Sequence, residues 1–287
     1  SRSRRSTVCS PAPAGPGSGA LAHTPSDLDT MITRRQFAVS TPWLAAGPLA
    51  ISGCAREPAT DPYAAVAERT WQGSAATGDL VGQGAADRAR ELIRCATLAP
   101  SSHNTQCWKF AFAADGRSIS LLPDLARRCP AVDPDDHHVF VSLGCATENL
   151  VQAALAHGLQ GQAQFDAAGD MVRVSLEPTR PQATPLFTAI AQRQCTRGDY
   201  DGKPLSTAEL DLLQRAGSSD SVRLLLLTER PAMERVLDHV LQANTAQMAD
   251  VAFIRELKSW VRFNGAEAVR TRDGLYSVSS GNPNIPT

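Results

Sequence analysis

The chain has 287 residues, 28 Lys and Arg against 29 Asp and Glu, 43% hydrophobic residues and a formal net charge of −1. That length holds one large domain or two small ones with an ample core, and the balanced charge gives no electrostatic case for nucleic acid. Seven cysteines, at positions 9, 54, 95, 107, 129, 145 and 195, include no Cys-x-x-Cys pair. This disfavours a disulfide framework or structural zinc, and most of the thiols read as small buried hydrophobes.

Residues 1–30 are rich in Ser, Pro, Gly and Ala without periodicity. They read as a disordered leader, with Met31 a candidate for the natural start. In 31–54, Arg34-Arg35 precede a weakly apolar run from Phe37 to Ile51 that is interrupted by Pro42, Gly47 and Pro48. The run is too short and broken to span a membrane. It ends in Ile51-Ser52-Gly53-Cys54. Paired arginines ahead of such a run resemble a twin-arginine export signal, and Ile-Ser-Gly-Cys resembles a lipobox. This implies an exported, periplasmic or membrane-anchored lipoprotein, in which an acyl chain at Cys54 anchors the protein without crossing the bilayer. Residues 55–84 read as a linker carrying one marginal helix over 61–70.

The folded part is expected from Ala85. The periodicity of Leu92, Ile93, Cys95, Ala96 and Leu98 predicts a helix over 87–98, stopped near Pro100, which has no N–H to offer. Next comes Ser101-Ser102-His103-Asn104-Thr105-Gln106-Cys107-Trp108. Hydroxyls and carboxamides on a turn offer donors and acceptors in little volume, which suits a flat polar heterocycle better than a metal. Strands at 108–112 and 118–122 around Asp115-Gly116 read as a hairpin. His137-His138 sit in a charged stretch, 124–138. Adjacent residues on a helix or strand do not converge on one centre, so solvated loop is expected there. A central helix over 139–157, capped by Gly158, precedes strands at 162–166 and 171–176.

After Pro185 a helix over 186–191 runs into Arg193-Gln194-Cys195-Thr196-Arg197-Gly198-Asp199-Tyr200. Guanidinium forks and a short hydroxyl at Arg193, Thr196 and Arg197 form a candidate anion site. Ser206 and Glu209 have capping-box spacing at the start of a helix over 208–216. Leu224–Leu226 reads as a strand and 231–270 as amphipathic helix, with Phe253, Leu257 and Trp260 on one face. Helix, small-residue break, Ser-Ser and strand thus recur at 91–110 and 211–226, the second time without Asn-x-Gln-x-Trp.

Ser-Ser-x-Asn-x-Gln-x-Trp after a helix-ending Ala-Pro resembles the flavin-contacting loop of the nitroreductase superfamily. The form Thr-Leu-Ala-x-x-x-His-Asn-Thr-Gln looks like its Acg-like branch, in which two halves are fused. Arg193 to Tyr200 resembles the phosphate signature of such a module, with Cys195 where Ser is usual. Trp260 to Asn264 and Arg272 to Leu275 also resemble the Acg-like branch, where this region covers the flavin.

The resemblance implies an α+β, nitroreductase-like fold: a single-chain pseudo-dimer whose central, antiparallel-rich sheets are flanked by helices. The halves would be 85–180 and 181–287, the second expected to be C-terminally incomplete. It implies one FMN per chain, with Ser101, Ser102, Asn104 and Gln106 at isoalloxazine or ribityl and Arg193, Thr196 and Arg197 at phosphate. The expected function is an FMN-dependent oxidoreductase with small-molecule electron donor and acceptor and no side-chain acid or base. The alternative is a protein that holds flavin with little turnover. Either a monomeric pseudo-dimer or a homodimer fits.

Overall fold

The structure is a computed structural model and describes residues 62–72, 80, 82–195, 197 and 200–282. The leader and the export and lipid signals expected in 1–54 lie outside the described residues, as does most of the linker. The helix expected near 61–70 is α1, Pro62–Trp71.

Four strands form an antiparallel sheet in the order β1-β2-β4-β3: β1 Trp108–Phe112, β2 Ser118–Pro123, β3 Leu159–Asp166 and β4 Met171–Pro178. Its register explains the alternation in the sequence. Phe110, Leu121, Val172 and Phe165 form one cross-strand row, and Phe112, Ile119, Val174 and Ala163 the next. All eight side chains point to one face, because successive strand residues alternate sides. Ala111, Ser120, Arg173 and Gln164 line up on the other face. An antiparallel sheet with one wet face accounts for such a pattern.

The apolar face is covered by α3, His137–Ala156, whose buried residues include Val139, Leu143, Ala146, Leu150, Ala153 and Ala154. Gly161 lets the helix come close: a Cβ there would lie 3.3 Å from Val151 and 3.4 Å from Val174. By length and composition α3 could cross a membrane, yet its apolar stripe is the core of this fold. Helix α2, Ala85–Thr97, packs along α3 through Leu92, Cys95 and Ala96. Asn149 of α3 donates from Nδ2 to the Cys95 carbonyl at 3.1 Å, which gives a polar side chain in the helix interface a structural partner. Helix α4, Pro185–Ile190, buries Phe187 and Ile190 beside α3. Its Thr184 cap also donates to Gln152 at 2.6 Å.

Beyond α4 the chain changes character. From 201 to 252 every residue is exposed or half-buried. This stretch holds α5, Thr207–Ala216, with the expected Ser206–Glu209 capping box, and α6, Arg230–Ala249. Leu224–Leu226 lies in no sheet and has no regular secondary structure, which corrects the strand expected there. Apolar residues make a strand only where a neighbouring strand takes their N–H and C=O groups. The described residues of 181–282 therefore build no second four-stranded sheet; their strands are only the two-residue β5 and β6.

The helix expected over 231–270 is three helices: α6, α7 (Val251–Trp260) and α8 (Gly265–Thr271). Asp250 breaks the first from the second by capping α7, accepting from Ala252 N at 2.8 Å. Asn264 caps α8, accepting from Glu267 N at 2.9 Å. Around α8, β5 (Val261–Arg262) pairs in parallel with β6 (Leu275–Tyr276). This C-terminal unit returns to the first half. Helix α8 packs on α1, with Tyr63 and Tyr276 ring centroids 4.5 Å apart. Glu256 of α7 accepts from Ala131 N and Val132 N at 2.8 and 3.1 Å.

Candidate functional site

Helix α2 ends before Pro100, and the next six residues make a tight, irregular turn. Ser101 is extended, and its carbonyl accepts from Asn104 N at 3.0 Å while its Oγ accepts from Gln106 N at 3.0 Å. His103, Asn104 and Gln106 have φ of 48°, 52° and 52°. Left-handed backbone at a non-glycine residue costs about 1–3 kcal/mol. Three such residues in four positions persist only because the surroundings hold them.

Those surroundings come from far along the chain. Asn104 and Gly274 exchange two bonds: Gly274 N donates to the Asn104 carbonyl, and Asn104 Nδ2 to the Gly274 carbonyl, both at 3.0 Å. Gln106 Nε2 donates to the Arg272 carbonyl at 2.5 Å. Arg127 Nε donates to the carbonyl of the buried Thr105 at 2.5 Å. The other side of the Arg127 guanidinium donates, through a short bond, to Asp273. Arg262 holds the second Asp273 oxygen at 2.7 and 3.2 Å, and also donates to Thr271 and Ser259. Both guanidiniums lie over Trp260, 5.6 and 5.8 Å from a ring centroid. Burial pushes the Asp273 carboxyl up, but the hydrogen bonds from Arg262 and Arg127 and the Arg262 charge more than reverse this. The net effect holds it below the usual carboxylate range.

Gly274 is required where it stands. Its φ is +78°, and a Cβ would sit 2.4 Å from the Trp260 carbonyl and 2.8 Å from the Arg262 guanidinium carbon. Beneath the loop, Cys129 Sγ lies 3.5 Å from His103 Nδ1. Burial, chiefly, pushes the thiol up to about 12 and the imidazole down. Both groups are neutral near pH 7, so the pair is a packing contact and not a thiolate nucleophile.

Of the residues the sequence singled out, the structure gathers Ser101, Ser102, Asn104 and Gln106 on this turn. Arg193 reaches its root: Nη2 donates to the Leu98 carbonyl at 3.0 Å, and the guanidinium lies over Trp71 at 5.4 Å. Arg197 is exposed and donates to Ser280 Oγ at 3.3 Å. No hydrogen bond joins either arginine to the loop side chains among the described residues. Thr196 lies outside the described residues. His137 and His138 are exposed, as expected, but they open α3 and are not in a loop. The sequence reading passed over Arg127; one arginine of a charged stretch carries no mark of a partner 146 positions away.

The loop's chemistry fits a flat polar ligand in part. Ser101, Ser102 and Gln106 are half-buried residues and Asn104 is exposed. The carboxamide N–H groups of Asn104 and Gln106, in contrast, each already serve a carbonyl of 272–274.

No family model matches the chain. It is similar to two proteins of Mycobacterium tuberculosis, from strains CDC 1551 and H37Rv, each provisionally named an NAD(P)H nitroreductase. Each match is 26% identical over 195 residues, covering 66% of this chain and 55% of the relative. The chain thus spans about half the length of the curated relatives it matches. The mixed helix and antiparallel sheet of the described residues are compatible with an α+β, nitroreductase-like fold.

Proposed function

We propose that the protein is an FMN-dependent oxidoreductase of nitroreductase type, with the turn at 101–106 as the flavin-contacting wall. The observation that carries this reading is the turn itself. Three left-handed non-glycine residues, clamped by bonds from residues 127 and 272–274, are a retained strain, and such strain clusters at ligand sites. FMN would supply two-electron transfer through its N5. Ser101 and Ser102 offer hydroxyls to the ring or ribityl chain. Asn104 and Gln106 offer their side-chain carbonyl oxygens, and their N–H groups as well where the 272–274 turn gives way. Arg193 and Arg197, with Thr196 between them, would hold the phosphate by charge-assisted hydrogen bonds. This reading calls for no side-chain acid or base.

The test is an absorbance scan of protein purified in the dark. Visible flavin absorption, present on purification or retained after adding FMN and desalting, supports the reading. A chain that stays colourless overturns it.

A second reading has its own observation. Because Arg272 and Gly274 take the N–H groups of Asn104 and Gln106, the turn is covered from one side, which favours a protein that holds flavin with little turnover. Bound flavin that NADPH fails to bleach under anaerobic conditions would select this reading over the first. The fused-halves architecture rests on the repeat in the sequence, since the second half builds no second four-stranded sheet among the described residues. Export through Arg34-Arg35 and acylation at Cys54 belong to the same proposal. Radiolabelled palmitate incorporation that is lost in Cys54→Ala would support the anchor.

A further inference from the structure

We propose that Trp71, the last residue of α1, is a positioning residue that fixes Arg193 for the flavin phosphate, so that the site selects phosphorylated flavin over riboflavin. The inference rests on the flavin reading and adds to it a residue from the stretch expected to be a linker. The Arg193 guanidinium lies over the Trp71 ring, 5.4 Å from the centroid. Trp71 is half-buried and packs against the core. At the other end of the same helix, Tyr63 packs on Tyr276. The ring is therefore an anchored wall, held from both ends of α1.

The partners of Arg193 show what the ring is for. Arg127 and Arg262 also lie over a tryptophan, but both are paired with Asp273. Arg193 has no carboxylate partner among the described residues. It is half-buried all the same, and taking an uncompensated charge out of water is costly. Its hydrogen-bond partners are neutral: Nη2 donates to the Leu98 carbonyl at 3.0 Å and Nη1 lies 3.3 Å from Cys195 Sγ. Among the described residues these two bonds leave three of the five guanidinium N–H groups. An indole face holds the guanidinium plane without consuming a donor and without cancelling the charge, as a carboxylate would. Arg193 thus keeps a fixed plane, its full charge and in-plane donors, the set that suits phosphate oxygens. Leu98 is the C-cap of α2, three residues before the 101–106 turn, so the same bond ties the arginine to the flavin wall.

The test compares FMN with riboflavin, which lacks only the phosphate, on the full chain freed of bound flavin. Affinity is read from the quenching of flavin fluorescence. Wild type is expected to bind FMN about 100-fold more tightly than riboflavin. Trp71→Leu, which keeps apolar bulk but no ring face, should weaken FMN by about 10-fold and leave riboflavin unchanged. Riboflavin is thus the control for folding within the same experiment. Trp71→Phe, which restores a ring face, should recover most of the FMN affinity. In an Arg193→Ala background, Trp71→Leu should cost FMN nothing further. If Trp71→Leu weakens both flavins alike, or neither, the positioning role is overturned while the flavin reading stands. An undiminished loss in the Arg193→Ala background overturns it as well, since Trp71 would then act without the arginine. Equal wild-type affinity for the two flavins overturns the selection, and a wild type that binds neither overturns the flavin reading along with it.

Discussion

Asp273 is the residue on which the candidate site depends most. It joins Arg127, beneath the 101–106 turn, to Arg262, of whose side chain only 9% is exposed. Asp273→Ala leaves a buried guanidinium without its carboxylate, and the expected loss is about 3 kcal/mol in urea unfolding. The sign with pH follows from its lowered pKa. A carboxylate held below its unfolded value, about 3.9, contributes stability above that pH and loses it as the pH falls through the folded value. Wild type should therefore lose stability more steeply than Asp273→Asn between about pH 5 and pH 2, as read from urea midpoints at each pH. Gly274→Ala combines a left-handed φ with a Cβ 2.4 Å from a carbonyl oxygen. We expect a loss of at least about 2 kcal/mol, with no rescue by Gly274→Ser, which adds the same Cβ.

At the scale of elements, α7 is held to the first half through Glu256, which accepts two backbone N–H groups at Ala131 and Val132. Glu256→Ala leaves both donors seeking water. Faster amide exchange at 131 and 132 is expected, with a stability loss of about 1–2 kcal/mol; unchanged exchange there would show that the contact holds nothing. The elements also show where a sequence speaks and where it is silent. Helices α2 and α3, the hairpin at Asp115-Gly116 and the Ser206–Glu209 cap were legible because their signals are local: a period, a proline, a turn pair, a cap. Leu224–Leu226 was misread because a leucine run specifies burial and not a strand partner. The 101–106 turn was legible in its polarity and in its resemblance to a flavin loop. The use of Asn104 and Gln106 to bind 272–274 was hidden, since hydrogen bonds across nearly 170 positions leave no spacing to read.

For the molecule as a whole, two bodies of evidence meet: a four-stranded sheet sealed by α2 and α3, and a likeness at 26% identity to proteins about twice the matched length. If the flavin reading holds, adding FMN at 100 times its Kd raises the stability by about 2.7 kcal/mol. Ser102→Ala with Arg193→Ala should remove most of that gain while leaving the apo melting temperature within a few degrees, as thermal melts with and without FMN would show. An equal gain in the double variant would place the flavin elsewhere.

The bonds that shape the 101–106 turn also set when it can form. The sheet and α3 close over local and medium-range contacts, all complete by residue 178. The turn waits for residues 262–274, and loop closure over such separations is slow. As the chain leaves the ribosome, the core can assemble well before the turn acquires its shape. A chain cut before Arg262 would therefore keep a folded sheet and still present a relaxed Ser-Ser-His-Asn segment. Maturation of the candidate site waits on the synthesis and docking of residues 262–274 and not on the folding of the core around it.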